Sequence, residues 1–239
     1  MLNAKVFDHQ VKKLELIETH ISWVILTGDF AYKIKKSVDF GFLDFSTLEK
    51  RYDCCEQELR LNRRLAPKIY LDIVYITGTA DEPRVSSSGE AFEYAIKMVQ
   101  FPQSAQLDNM LAAGELKTRH MDAFAQMTAD FHQSIDVAGD SVAYGNNETV
   151  YQPVEENFIQ IDEHIDTTAY NSALEKLRHW SQTECKRQGN GFRQRKHDGF
   201  IRECHGDMHL RNMIWLHEKP MAFDCIEFNA SLRWIDVIS

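Results

Sequence analysis

The sequence predicts an α+β protein of two lobes: a small N-terminal lobe of antiparallel sheet with one helix (residues 1–101) and a mainly helical lobe (residues 102–239). Three observations lead there. Apolar and polar residues alternate over most of the stretch before Pro102, one well-punctuated helical segment interrupts that alternation, and the pattern turns helical beyond Pro102.

In chain order, "LELIET", "SWVILTG" and "DFAYKIK" read as strands of an antiparallel meander, with Thr27, Gly28 and Asp29 forming the turn between the last two. "STLEKRYDCCEQELRLNRRLAP" reads as a helix of about five turns, with Ser46 and Glu49 as a capping box and Pro67 marking its end. "IYLDIVYITG" and "EAFEYAIKMVQF" add two strands separated by the polar turn "TADEPRVSSSG", so that five strands and one helix precede Pro102. Beyond it come the helices "SAQLDNMLAAGEL" and "RHMDAFAQMTADFHQSI", the latter with Met121, Phe124, Thr128, Phe131 and Ile135 at helical spacing. Residues 137–149 are polar and turn-rich, and "VEENFIQIDEHI" and "NSALEKLRHWSQTECKRQ" predict two more helices. The glycine-flanked stretch "QGNGFRQRKHDG", carrying Arg193, Arg195 and Lys196, reads as a solvated loop.

Composition narrows the function classes. With 44% hydrophobic and 26% charged residues the chain is globular in type, and a formal charge of −9 argues against broad, sequence-independent binding to nucleic acid. Five cysteines without a C-x-x-C pair indicate reduced thiols and neither a disulfide framework nor a zinc knuckle. The N-terminus has no signal-like apolar stretch, and no run approaches the roughly 18 apolar residues that span a bilayer, so a cytoplasmic protein without a membrane partner is expected.

The chemistry concentrates in "RECHGDMHLRNMIWL", residues 202–216. Phosphoryl transfer to a hydroxyl needs a carboxylate to orient or accept the acceptor proton, and hard ligands that hold Mg²⁺ against the phosphates. Asp207 and Asn212 have the D-x-x-x-x-N spacing of such a loop, and Asp224 follows at the end of the apolar run "PMAFD", where a returning hairpin brings a second carboxylate to the same metal. A lysine for the nucleotide phosphates belongs upstream on an inner strand, as Lys33 in "FAYKI" is, and Glu58 on the inward helix face is placed to orient it. Glu227 is a further candidate carboxylate. The rival enzyme class is a metal hydrolase using His205, Asp207 and His209; it requires additional ligands, and His132 and His164 belong to no paired motif. Asp39, Phe40 and Gly41 spell a kinase metal-binding signature, but they precede Glu58 and Asp207, and that order forbids the role.

"HGDMHLRN", "FD" and the upstream "AYK…E" resemble the aminoglycoside phosphotransferase-like branch of the protein-kinase-like fold. "ETHISWVILTGDFAYKIKKSVDFGFLDFSTLEKR", "EQELRLNRRLAP" and "FDCIEFNASLRWIDV" look like a bacterial group in which this domain precedes a P-loop ATPase domain. The resemblance implies an ATP- and Mg²⁺-dependent phosphotransferase acting on a small-molecule hydroxyl. Asp207 would be the catalytic base, Asn212 and Asp224 the Mg²⁺ ligands, Lys33 the phosphate ligand and Glu58 its ion-pair partner. It implies a structural role for His205, an adenine-binding backbone at Met98 to Phe101, with Met98 and Gln100 as cofactor contacts, and Asp236 as an anchor of the catalytic loop. It also implies that "RWIDV" opens a large helix of a lobe truncated at its C-terminus, and that a linked P-loop ATPase domain is a partner. The alternative is a nucleotide-binding regulatory module for that domain. The chain departs from protein kinases in having no G-x-G-x-x-G before Lys33; in "ETHIS", Thr19 and Ser22 take the place of a glycine-rich turn.

Overall fold

Alternation in the N-terminal stretch is realised as a six-stranded antiparallel sheet in the computed structural model, which describes residues 1–166 and 169–238. The strands are β1 (Glu15–Glu18), β2 (Ser22–Leu26), β3 (Phe30–Lys35), β4 (Tyr70–Gly78), β5 (Pro83–Ser86) and β6 (Ala91–Val99), in the order β1-β2-β3-β6-β4-β5. The helices are α1 (Leu48–Asn62), α2 (Leu107–Ala112), α3 (Thr118–Ser134), α4 (Asn147–His164) and α5 (Asn171–His197). Short strands β7 (Ile201–Glu203), β8 (Met213–Leu216), β9 (Lys219–Ala222) and β10 (Trp234–Asp236) complete an α+β chain. None of the described helices is long and apolar enough to cross a membrane.

Two compact units are present, one of Met1–Phe131 with Asp207–Ala230, the other of His132–Gly206 with the stretch from Ser231. In the first, period-two alternation sends β3 side chains to opposite faces of the sheet. Tyr32 and Ile34 join Val6, Ile25, Val74 and Ile76 in one core, while Ala31 packs on the other face with Cys55 and Leu59 of α1. Lys33 and Lys35 share that second face. The β2–β3 turn closes through Thr27, whose N–H and Oγ1 both bond Phe30 O at 2.8 Å, and it passes through Gly28 at φ +103. A Cβ there would lie 2.7 Å from Lys12 Cβ, so both conformation and space call for glycine.

Several expectations are corrected by local hydrogen bonding and packing. Thr47, not Ser46, caps α1, accepting from Lys50 N at 3.2 Å, because the Ser46 hydroxyl is taken by Asp44 Oδ1 at 2.6 Å; the helix runs 15 residues, nearer four turns than five. The expected turn "TADEPRVSSSG" contains β5, since Val85 pairs with Ile76 and is buried in the sheet core.

The second unit is built on α4 and α5. The expected loop at residues 188–199 is instead the last part of α5, which continues through Gly189; a Cβ at that position would lie 2.3 Å from Asn147 Nδ2, so glycine lets the start of α4 approach closely. Lys196 is buried and bonds Asn146 Oδ1 at 2.8 Å, and is thus structural rather than solvated. "RWIDV" forms β10, paired antiparallel with β7, where a helix was expected. Aromatic and β-branched residues favour that choice, and Trp234 stacks on Tyr144 with ring centroids 5.5 Å apart. Asp236 accordingly pairs with Arg195 of α5 in place of the anchoring role expected of it.

Candidate functional site

Lys33 lies on the α1-facing side of β3, and Glu58, in the last turns of α1, is fully buried beneath it. Lys33 Nζ is 2.7 Å from Glu58 Oε1 and 2.5 Å from Asp224 Oδ1. Burial alone would depress this lysine's pKa, but Asp224 and Glu58 outweigh it and hold the ammonium well above the ordinary value. The sequence reading missed Lys35. It follows Lys33 by two positions, so strand alternation brings it to the same face, and its Nζ is 2.6 Å from Glu58 Oε2 and also bonds Glu227 Oε1. Glu227, the further candidate carboxylate, is therefore a buried ion-pair partner. Desolvation raises its pKa against the pull of Lys35, whereas Lys33 and Lys35 together overcome desolvation at Glu58 and lower its pKa.

A hairpin brings the remaining residues together. β8 and β9 pair Met213 with Ala222, and one step beyond, Phe223 N–H donates to Asn212 O at 2.9 Å. Asp224 follows in the left-handed region at φ 61, which is uncommon for a non-glycine residue. Its N–H donates to Tyr70 Oη at 3.2 Å, and the next amide, of Cys225, donates to Asn62 Oδ1 at 2.9 Å. These contacts fix the strained backbone from β4 and α1. On the loop before the hairpin, Asn212 Nδ2 donates to Asp207 O and Oδ2, both at 3.0 Å. His209 Nδ1 accepts from Arg211 N at 3.2 Å, which assigns the proton to Nε2, 3.4 Å from Asp207 Oδ2. Asp207 is half exposed; His205 is buried.

A cavity of about 510 Å³ opens beside Lys33 and Asp224. Its wall is mainly apolar and includes Thr19, Ser22, Met98 and Gln100. Thr19 closes the β1–β2 turn on itself, its Oγ1 accepting from Ser22 N at 2.9 Å. Ser22 Oγ is buried without a hydrogen-bond partner among the described residues. In the segment Met98 to Phe101, the Val99 N–H donates to Ile69 O at 2.8 Å and the Gln100 N–H to Asp29 O at 3.0 Å, so neither amide is open to a base. The Gln100 side chain caps the β2–β3 turn, accepting from Gly28 N at 2.8 Å. Asp39 accepts from Gly41 N at 2.9 Å in a local turn, and the same loop places Phe42 on the cavity wall.

Among the described residues no group of three or more His, Cys, Asp or Glu side chains is placed to hold a metal, which counts against the hydrolase cluster. Asp224 and Asn212 are hard oxygen donors of the kind Mg²⁺ takes, usually keeping several waters, and with Nδ2 directed to Asp207 the Asn212 amide retains Oδ1 for a cation.

No family model matches the chain. It is similar to uncharacterized proteins of Mycobacterium bovis (Mb2027c) and Mycobacterium tuberculosis (MT2060 and Rv2004c), each 29% identical over 225 residues, a match that covers 94% of this chain. The chain spans 44% of the length of these relatives.

Proposed function

We propose that the chain carries an ATP- and Mg²⁺-dependent phosphotransferase site of the aminoglycoside phosphotransferase-like, protein-kinase-like type, acting on a hydroxyl group of a small molecule. One observation carries the reading: Lys33 meets both Glu58 and Asp224 at the edge of a cavity, while Asp207 and Asn212 are tied to each other and, through Phe223, to Asp224. A lysine oriented by a buried carboxylate, two hard metal donors and an accessible carboxylate are the parts that phosphoryl transfer requires.

In this reading Lys33 turns its ammonium toward nucleotide phosphates while Glu58 keeps it charged and aimed. Asn212 and Asp224 would hold Mg²⁺, which would supply charge neutralisation at the phosphates. Asp207 orients the acceptor hydroxyl and takes its proton; His209 Nε2–H and Asn212 Nδ2–H steady that carboxylate. Catalysis is then mostly positioning and charge stabilisation. The greater length of the relatives leaves room for a linked domain, for which a P-loop ATPase is the proposed partner.

A second reading, a nucleotide-binding regulatory module without transfer, is favoured by the Thr19–Ser22 turn, whose internal hydrogen bonds replace a glycine-rich phosphate cover. Thermal shift with Mg·ATP and turnover across a panel of hydroxyl acceptors separate the two. The phosphotransferase binds Mg·ATP and turns over, and Asp207→Asn abolishes turnover while keeping binding. Binding without turnover by the wild type selects the regulatory module, and absence of binding sinks both.

A further inference from the structure

Lys35 has no part in the chemistry above, yet it is 1% exposed on the sheet face that carries Lys33. A buried ammonium persists only where its charge and hydrogens are satisfied. Here Glu58 Oε2 lies at 2.6 Å, Glu227 closes the other side, and the Phe45 ring centroid is 4.9 Å from Nζ.

The consequence lies in how Glu58 is shared. Its Oε1 serves Lys33 and its Oε2 serves Lys35, so the carboxylate plane is fixed by a cation on each side. Glu227 stands three residues beyond Asp224 and is fixed by the same ammonium. One buried lysine thus ties together β3, α1 and the segment that holds Asp224 at φ 61. Were phosphates to draw Lys33 away from Asp224, Lys35 would still hold Glu58.

We propose that Lys35 and Glu227 are positioning residues for Mg·ATP: a second buried ion pair that aims Glu58 at Lys33 and keeps Asp224 in register, without touching the nucleotide. This rests on the phosphotransferase reading.

The test replaces both partners by apolar side chains of similar volume, Lys35→Met with Glu227→Leu, in the full chain. Such a swap of a buried pair is often neutral for stability. The expected result is a melting temperature close to wild type, with Mg·ATP affinity by calorimetry reduced at least tenfold and KM for ATP raised more than kcat is lowered. A well-folded double variant that binds Mg·ATP as wild type does overturns the proposal. Should the double variant fail to fold, Glu227→Gln decides: it keeps a hydrogen-bonding oxygen for Lys35 but removes the charge, and it is expected to weaken Mg·ATP binding severalfold, whereas unchanged binding overturns the assignment. Wild-type protein that does not bind Mg·ATP overturns the phosphotransferase reading itself and this assignment with it, an outcome distinct from equal binding by wild type and variant.

Discussion

Glu58 serves two lysines with one carboxylate, and its substitution is the most informative single change in the network. Glu58→Gln leaves two buried ammonium groups facing an amide, and breaking a buried pair in this way costs about 3 to 5 kcal/mol. Asp224 is 45% exposed, so Asp224→Asn is expected to cost no more than ~1 kcal/mol of stability, solvent screening most of the ion pair. Urea unfolding of both variants checks the ordering, and equal losses would contradict it. On the proposed phosphotransferase reading, Asp224→Asn is expected to fold yet to lose Mg²⁺-dependent ATP binding. Two thiols beneath the same lysines give an independent probe. Burial pushes Cys55 up to about 12 and Cys54 up to about 11, so thiolate is scarce at pH 8. Iodoacetamide at that pH is expected to leave both unmodified until denaturant is added; rapid labelling of Cys55 in the native protein would place it outside the core.

At the scale of elements, period decided what could be read in advance. Lys33 and Glu58 were legible because apolar neighbours marked β3 and α1, and because each residue falls on the inward face its element's period defines. Lys35 obeys the same period but reads as a surface charge, since only the carboxylates of α1 and the segment after β9, distant in sequence, make its burial tolerable. The Asp207–Asn212 contact was legible from spacing, whereas the closed N–H groups of Val99 and Gln100 depend on carbonyls supplied by Ile69 and Asp29. Glycine misled in the second unit. Gly189 suggested a loop, although there it serves close packing of α4 on α5. Gly145 shows the other use of the residue, combining φ +74 with a site where a Cβ would lie 2.4 Å from Ile201 Cγ1. Gly145→Ala therefore carries both backbone strain and overpacking, and is expected to destabilise by about 1 to 3 kcal/mol. Thr47→Ala removes the α1 cap and should cost about 1 kcal/mol. Thermal unfolding of the two variants tests both, and a Gly145→Ala protein as stable as wild type would mean that β7 gives way freely.

Over the whole molecule, carboxylates whose pKa the fold lowers and the one it raises pull the pH dependence of stability in opposite directions. Glu58, lowered from 4.5 by Lys33 and Lys35 against desolvation, contributes stability present above its unfolded value and lost as pH falls through its folded one. Glu184, held down to about 2 by hydrogen bonds from Arg187 and Gln188, acts in the same sense on the surface. Glu227 acts in the other. Desolvation raises it above 4.5, so the folded state binds its proton more tightly than the unfolded state does, and stability declines as pH rises from that value through the folded pKa. Self-repulsion of the −9 charge at pH 7 adds to the same decline, since it grows with distance from the isoelectric point near 5.6. The melting temperature is therefore expected to peak on the acid side of neutrality, falling steeply below pH 4.5 and gently toward alkaline pH. Glu227→Gln removes the buried titration and should flatten the decline that sets in above pH 4.5 while leaving the acid limb, which belongs to Glu58 and Glu184, in place. Unfolding curves for wild type and variant at constant ionic strength provide the measurement, and an identical dependence on pH above 4.5 would mean that Glu227 titrates in the folded protein as it does in the unfolded chain.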